Sequence, residues 1–127
     1  MGIRVLLVDG SPTVIDGLRS ILQGCPEIEV VGEETNGADA VDKAIELRPD
    51  VVLIDAQVPG IGGVEASRRI KEALPGAKIL FMAVHPDLVE AAIGAGVDCC
   101  LAKDCSRHEF IGAVRKLGNG GPNSASR

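Results

Sequence analysis

This chain contains no tryptophan and no tyrosine, and only two phenylalanines, Phe81 and Phe110. Aromatics make up 2% of its 127 residues, so no platform exists on which nucleic-acid bases could stack, and no RNP-like or OB-like pattern is present. Basic residues are also in deficit: 13 Lys and Arg against 18 Asp and Glu give a net charge of −5. A pI near 5.0 argues against direct nucleic-acid binding by this domain, because phosphate contacts need a basic surface. No apolar run approaches the ~20 residues that span a bilayer, which predicts no membrane insertion. Met1-Gly2-Ile3-Arg4-Val5 enters a strand directly, without the layout of a secretory signal, so the cytoplasm is the expected compartment. There is no G-x-G-x-x-G, no phosphate-binding G-x-x-x-x-G-K-[ST] and no C-x-x-C. The four cysteines, Cys25, Cys99, Cys100 and Cys105, read as small apolar fillers. A metal site from Cys99, Cys100, Cys105 and His108 would need adjacent cysteines on one tetrahedral ion, and its spacing matches no zinc pattern.

What the chain has is aliphatic. Hydrophobic residues make up 46%, enough for one core of Val, Ile, Leu and Ala in a single domain. The organising stretch is Asp50 to Gly63. Val51, Val52, Leu53 and Ile54 form a short continuous apolar run, which reads as a strand covered on both faces. The run ends at Asp55, and a Pro59-Gly60 turn and a glycine pair, Gly62 and Gly63, lead into a helical pattern to about Leu74. The same grammar recurs along the chain. Ile3 to Val8 is a strand ending at Asp9, and Ser11-Pro12 starts a helix with Val14, Ile15, Leu18, Ile21 and Leu22 on one face. Glu27 to Glu33 alternates as an edge strand would, and Asn36-Gly37 opens a helix that Arg48-Pro49 ends. Lys78 to Ala83 is a fourth strand, and Pro86-Asp87 starts a short helix closed by Gly94-Ala95-Gly96. Val97 to Ala102 is a fifth strand, and Lys103 sits just beyond it. Ser106 with Glu109 three residues on predicts a capping box for a last helix. Residues 118–127 have the composition of a flexible tail, or of a linker cut before a further domain. Arg68, Arg69 and Lys71 on the third helix read as a solvated face.

Five strands alternating with five helices imply parallel βαβ units with right-handed crossovers, an α/β doubly wound sheet. The expected architecture is the flavodoxin-like (βα)5 fold with strand order 2-1-3-4-5. That order delivers Asp9, Asp55, Ala83 and Lys103 to one rim. Paired carboxylates there could hold a divalent cation such as Mg²⁺, and an Asp beside a cation can accept a phosphoryl group. A plain structural Lys–Asp contact is the competing reading of the same residues.

The ordered motifs carry a family resemblance. Val5-Leu6-Leu7-Val8-Asp9-Gly10-Ser11-Pro12, Pro49 to Asp55 with Pro59-Gly60 and Gly63-Val64-Glu65-Ala66, Ala95-Gly96-Val97-Asp98 and Leu101-Ala102-Lys103-Asp104 together resemble the receiver domain of two-component response regulators. The resemblance covers residues 3–117 and lies nearest the branch that precedes LuxR/NarL-type helix-turn-helix domains. It implies that Asp55 accepts phosphoryl from a histidine kinase and that Lys103 contacts the phosphoryl group. It also implies that Asp9, Asp55 and the backbone carbonyl of Gln57 hold Mg²⁺. Homodimerisation, through the fourth helix, fifth strand and fifth helix or through the first and fifth helices, follows from the family, as does DNA binding through a separate C-terminal domain.

The departures from the family pattern are specific. Gly10 stands where a second acid usually ligates the metal, Ala83 where a Thr or Ser hydroxyl reports the phosphoryl group, and Cys100 where a switch aromatic usually lies. The expectation is a degenerate receiver with weak or absent Mg²⁺ binding and impaired phosphorylation switching. The alternative is a phosphorylation-independent interaction domain, a pseudo-receiver. A haloacid-dehalogenase-type phosphohydrolase is a poorer match, because in Asp9-Gly10-Ser11-Pro12-Thr13 a serine takes the place of the acid/base Asp.

Overall fold

The computed structural model describes residues 2–120. Five parallel strands, β1 (Ile3–Val8), β2 (Ile28–Glu34), β3 (Val51–Asp55), β4 (Lys78–Ala83) and β5 (Cys99–Ala102), form one sheet in the order β2-β1-β3-β4-β5. Between and after them run α1 (Pro12–Gln23), α2 (Gly37–Leu47), α3 (Gly62–Ala73), α4 (Asp87–Gly94) and α5 (Arg107–Gly118). This is the flavodoxin-like order that the alternating pattern predicts.

Strand alternation sorts the apolar side chains into two layers, since successive residues point to opposite faces. Leu6, Val8, Val52, Ile54, Ile79 and Phe81 face α2, α3 and α4, which contribute Ala40, Ala44, Ala66, Ile70 and Ala92. Val5, Leu7, Val51, Leu53, Leu80 and Met82 face α1 and α5, which contribute Ile15, Leu22, Phe110, Val114 and Leu117. Burial of a strand on both faces explains why β3, and β1 after Arg4, read as unbroken apolar runs. The many alanines let α2 and α3 approach the sheet closely.

Local signals set the helix ends. The Ser11 hydroxyl accepts the Val14 amide at 3.3 Å, and Asn36 accepts the Asp39 amide at 2.9 Å. Ser106 and Glu109 form the full capping box. The end of α2 uses a device the sequence did not suggest: the Arg4 guanidinium, from β1, donates to the carbonyls of Leu47 and Arg48, both at 2.9 Å. Those carbonyls have no partner within the helix, so a cation there is doubly favoured.

Three expectations need adjustment. β2 runs from Ile28 to Glu34, one residue later than its alternation suggested, with an irregularity opposite Val5 and Leu6. β5 begins at Cys99 rather than Val97, because Asp98 turns its carboxylate back to accept the Ile79 amide at 2.8 Å. Lys71 is not part of a solvated face. Its ammonium donates to the carbonyls of Pro75 (3.2 Å) and Ala77 (2.8 Å) and to Asp98 (3.1 Å), tying the end of α3 to the starts of β4 and β5. Arg68 and Arg69 do lie on the exposed face, paired with Glu65 and Glu72. α5 extends through Gly118, and residues 121–127 of the expected tail lie outside the described residues.

Candidate functional site at the carboxyl rim of the sheet

The carboxyl ends of β1, β3 and β5 meet at one point. β1 and β3 are hydrogen-bonded neighbours, so Asp9 follows Val8 beside the Ile54–Asp55 end of β3. β5 lies two strands out from β3, beyond β4, and the Lys103 amide donates to the Ala83 carbonyl at 3.1 Å. From there the Lys103 side chain reaches back across β4. Its ammonium lies 2.9 Å from Asp9 Oδ2 and 3.2 Å from Asp55 Oδ1.

Asp9 is 4% exposed, and its other oxygen, Oδ1, accepts the Ser11 amide at 2.9 Å. One carboxylate therefore holds the strand-to-helix turn and the lysine together. Burial pushes the Lys103 ammonium toward deprotonation. The hydrogen bond to Asp9 and the charge of Asp55 outweigh that effect and hold its pKa above the usual value. The bridge is a charged one, with one cation serving two anions.

The turn after β3 is shaped by close approach. A Cβ on Gly63 would lie 2.5 Å from the Asp55 carbonyl oxygen and 2.8 Å from Ala56 Cα, so only glycine lets α3 start directly against the end of the strand. The Gly63 amide donates to the Ala56 carbonyl at 3.1 Å and the Ala56 amide to the Met82 carbonyl at 2.8 Å, which fixes the backbone that carries Asp55. Gln57 follows, exposed in the turn. Gly10 faces Pro59 across the rim, and a Cβ at Gly10 would meet Pro59 Cδ at 2.7 Å.

This donor set can be compared with the needs of a divalent cation. Mg²⁺ takes oxygen ligands in near-octahedral geometry and is held by carboxylates. Here two carboxylates converge, one oxygen of each facing the Lys103 ammonium, and the remaining Asp9 oxygen holds a backbone amide. Among the described residues no group of three or more His, Cys, Asp or Glu side chains is placed to share an ion. Asp9 and Asp55 are the two carboxylates that the rim offers to such an ion.

Behind the acids lies a cavity of about 60 Å³ lined by Val14, Leu18, Leu53 and Met82 together with Asp9, Asp55 and Lys103. Sequence reasoning missed its apolar half, because Met82 and Val14 carry no motif. Ala83 is buried at the end of β4 and has no hydroxyl to offer. Cys100 is half-buried on the α4 side of the sheet, whereas Cys99 and Cys105 pack on the α5 side. Burial raises the pKa of all three thiols, which disfavours thiolate chemistry. The neighbouring cysteines of the sequence are thus divided between two faces.

Comparison with known proteins supplies the context. The profile of the response regulator receiver domain matches residues 5–115. The response regulator protein VraR of Staphylococcus aureus is 40% identical over 122 residues, an alignment covering 94% of this chain and 58% of that protein. This chain therefore spans less than two thirds of the length of the curated relatives it matches. A LuxR-family two-component response regulator from Aurantimonas superposes with a TM-score of 0.90 at 30% identity, covering 96% of this chain and 89% of that one. The response regulator domain of Thermotoga maritima CheB gives 0.87 at 29% identity, covering 96% and 100%.

Proposed function

We propose a specific use of the rim in this chain, which belongs to the response regulator receiver domain family of two-component systems: Asp55 is the phosphoacceptor, working in a depleted pocket. An Asp55 oxygen attacks the phosphorus of a phosphohistidine on a histidine kinase. The P–N bond breaks, the imidazole leaves with its electron pair and takes up a proton, and an acyl phosphate remains on Asp55. Lys103, already 3.2 Å from Asp55, contacts the new phosphoryl oxygens and balances their charge. The chain supplies no turnover of its own and acts as a signalling domain, not an enzyme.

The residues that would hold Mg²⁺ are Asp9, Asp55 and the Gln57 carbonyl. When bound, the ion would neutralise charge on the transferring phosphoryl group. With Gly10 in place of a second acid, we assign it weak or no binding. The observation that carries this reading is the Lys103 bridge: one ammonium already serves both carboxylates. Phosphorylation is accordingly slow, and its read-out is reduced, because Ala83 has no hydroxyl and Cys100 no aromatic ring. Those same two residues favour the second reading, an interaction domain that works without phosphorylation.

Mass spectrometry of the intact protein after incubation with Mg²⁺ and acetyl phosphate separates these outcomes. Slow, partial addition of one phosphoryl group, absent in Asp55→Ala, supports the depleted acceptor. No addition supports the pseudo-receiver. Rapid, near-complete addition defeats both. The partners implied are a histidine kinase and a second copy of this chain, with DNA bound not by this domain but only by a C-terminal output domain where one follows. No helix among the described residues is long and apolar enough to cross a membrane.

A further inference from the structure

The apolar half of the cavity behind the acids has no part in phosphoryl transfer. Its lining sets two carboxylates, Asp9 and Asp55, against one ammonium, Lys103, which leaves one negative charge unbalanced. The four carboxylate oxygens are not equally engaged. Asp9 Oδ2 faces Lys103, and Asp9 Oδ1 accepts the Ser11 amide. Asp55 Oδ1 faces Lys103, whereas Asp55 Oδ2 accepts no hydrogen bond from a described residue. The Asp55 side chain is 12% exposed, so this open acceptor sits where water is scarce. Such a group is best satisfied by a donor, and a charged donor makes the stronger bond.

The rest of the lining is aliphatic. Val14 and Leu18 stand on one side of α1, and Leu53 and Met82 belong to β3 and β4. Val14 and Leu18 are only partly covered, so the cavity is reached from solvent along α1. A hydrated metal ion leaves these carbons without a partner, because Mg²⁺ keeps several of its waters and takes oxygen ligands. A cation that carries its own short hydrocarbon meets both halves of the lining. Size limits that hydrocarbon: a cavity of roughly 150 Å³ takes up a six-carbon ring, so one of about 60 Å³ accepts a chain of two or three carbons.

We propose that this cavity binds a primary alkylammonium ion. The ammonium donates to Asp55 Oδ2 and neutralises the excess charge, and the first two or three carbons lie against Val14, Leu18, Leu53 and Met82. A neutral molecule leaves the charge unbalanced, and an anion meets two carboxylates whose one counter-ion is already shared. Occupancy engages an oxygen of the residue assigned above as phosphoacceptor, so it opposes phosphoryl transfer. The binding itself does not depend on that assignment and stands if Asp55 is never phosphorylated.

Methyl NMR of the whole chain, titrated with n-propylammonium chloride at constant ionic strength and without a phosphodonor, tests this. Saturable shifts are expected at the methyls of Val14, Leu18, Leu53 and Met82, with a midpoint in the millimolar range, and none at Leu74 and Ala77 at the opposite rim. 1-Propanol, which keeps the chain without the charge, and ammonium chloride, which keeps the charge without the chain, should each bind at least about tenfold more weakly. Asp55→Asn should weaken propylammonium about tenfold, and Leu18→Phe, which fills the cavity, should do the same while leaving Asp55 in place. Thermal melts verify that both variants fold. Absence of saturable shifts at the cavity methyls overturns the proposal. So does 1-propanol or ammonium binding as tightly as propylammonium, or an unchanged midpoint in folded Asp55→Asn.

Discussion

Replacing Lys103 by methionine keeps most of the side chain's volume and removes its charge. Asp9 and Asp55 then face each other without the ammonium that lies 2.9 Å from one and 3.2 Å from the other. Two limits bracket the cost. Breaking a fully buried pair leaves an uncompensated charge and costs about 3–5 kcal/mol. An exposed pair is worth about 0–1 kcal/mol. The Asp9 side chain is 6% exposed, Asp55 12% and Lys103 27%, so the bridge sits between the limits, nearer the buried one on the acid side. A loss of about 2 kcal/mol is expected, which for a domain of this size lowers Tm by roughly 6–10 °C. Thermal melts followed by circular dichroism at neutral pH measure it. Asp9→Asn in the Lys103→Met background should recover about 1 kcal/mol, because the remaining carboxylate loses its like-charged neighbour. If Lys103→Met melts within 1 °C of the unsubstituted protein, the bridge does not organise the rim and the reasoning fails.

The other predictions concern the frame around that bridge. Because the folded pKa of Lys103 lies above its ordinary 10.5, its contribution is complete below that value and is lost as pH rises through the folded pKa; the raised thiols of Cys99, Cys100 and Cys105 act in the same direction from about 9.0 upward. Tm should therefore hold steady from pH 7 to about 9 and fall beyond it, and replacing the three cysteines by alanine should delay the onset. Gly63→Ala should cost about 2–3 kcal/mol in urea unfolding, since its Cβ would press on the Asp55 carbonyl oxygen and Ala56. Lys71→Met should cost about 2 kcal/mol by the same assay, against less than about 0.5 for Arg68→Ala on the exposed face of the same helix. Ser67→Ala should leave stability unchanged or raise it by about 1 kcal/mol, because the buried Ser67 hydroxyl has no hydrogen-bond partner among the described residues.

Much of this fold is legible because its signals are local. The apolar runs ending at Asp9 and Asp55 mark strands buried on both faces, and Ser11-Pro12, Asn36-Gly37 and Ser106 with Glu109 mark helix starts by backbone chemistry that neighbours do not alter. The rim residues follow from topology: once the strand order is 2-1-3-4-5, Asp9, Asp55 and Lys103 must share an edge. What stayed hidden depends on long-range contact. Nothing in the third helix's sequence shows that Lys71 folds inward to three oxygens while Arg68, three residues earlier, stays outside. Arg4 looks like an interruption in a strand until α2 ends within its reach. Asp98 looks like the interior of β5 until its carboxylate accepts the Ile79 amide. The cavity behind the acids was invisible for the same reason, since Val14 and Leu18 of α1 meet Met82 of β4, far away in the chain.

The central claim is that the rim is one carboxylate short, so that Gly10 limits phosphoryl transfer to Asp55. It is tested most directly by comparing the Mg²⁺-dependent rate of acetyl-phosphate labelling in the unsubstituted chain and in Gly10→Asp, by intact mass over time. The new side chain must displace Pro59 slightly, because a Cβ at residue 10 meets Pro59 Cδ at 2.7 Å, and thermal melts of the variant verify that it folds. Labelling at least about tenfold faster is expected in Gly10→Asp, with the gain lost when Mg²⁺ is chelated. Equal rates in a folded Gly10→Asp, or rapid labelling of the unsubstituted chain, would contradict it.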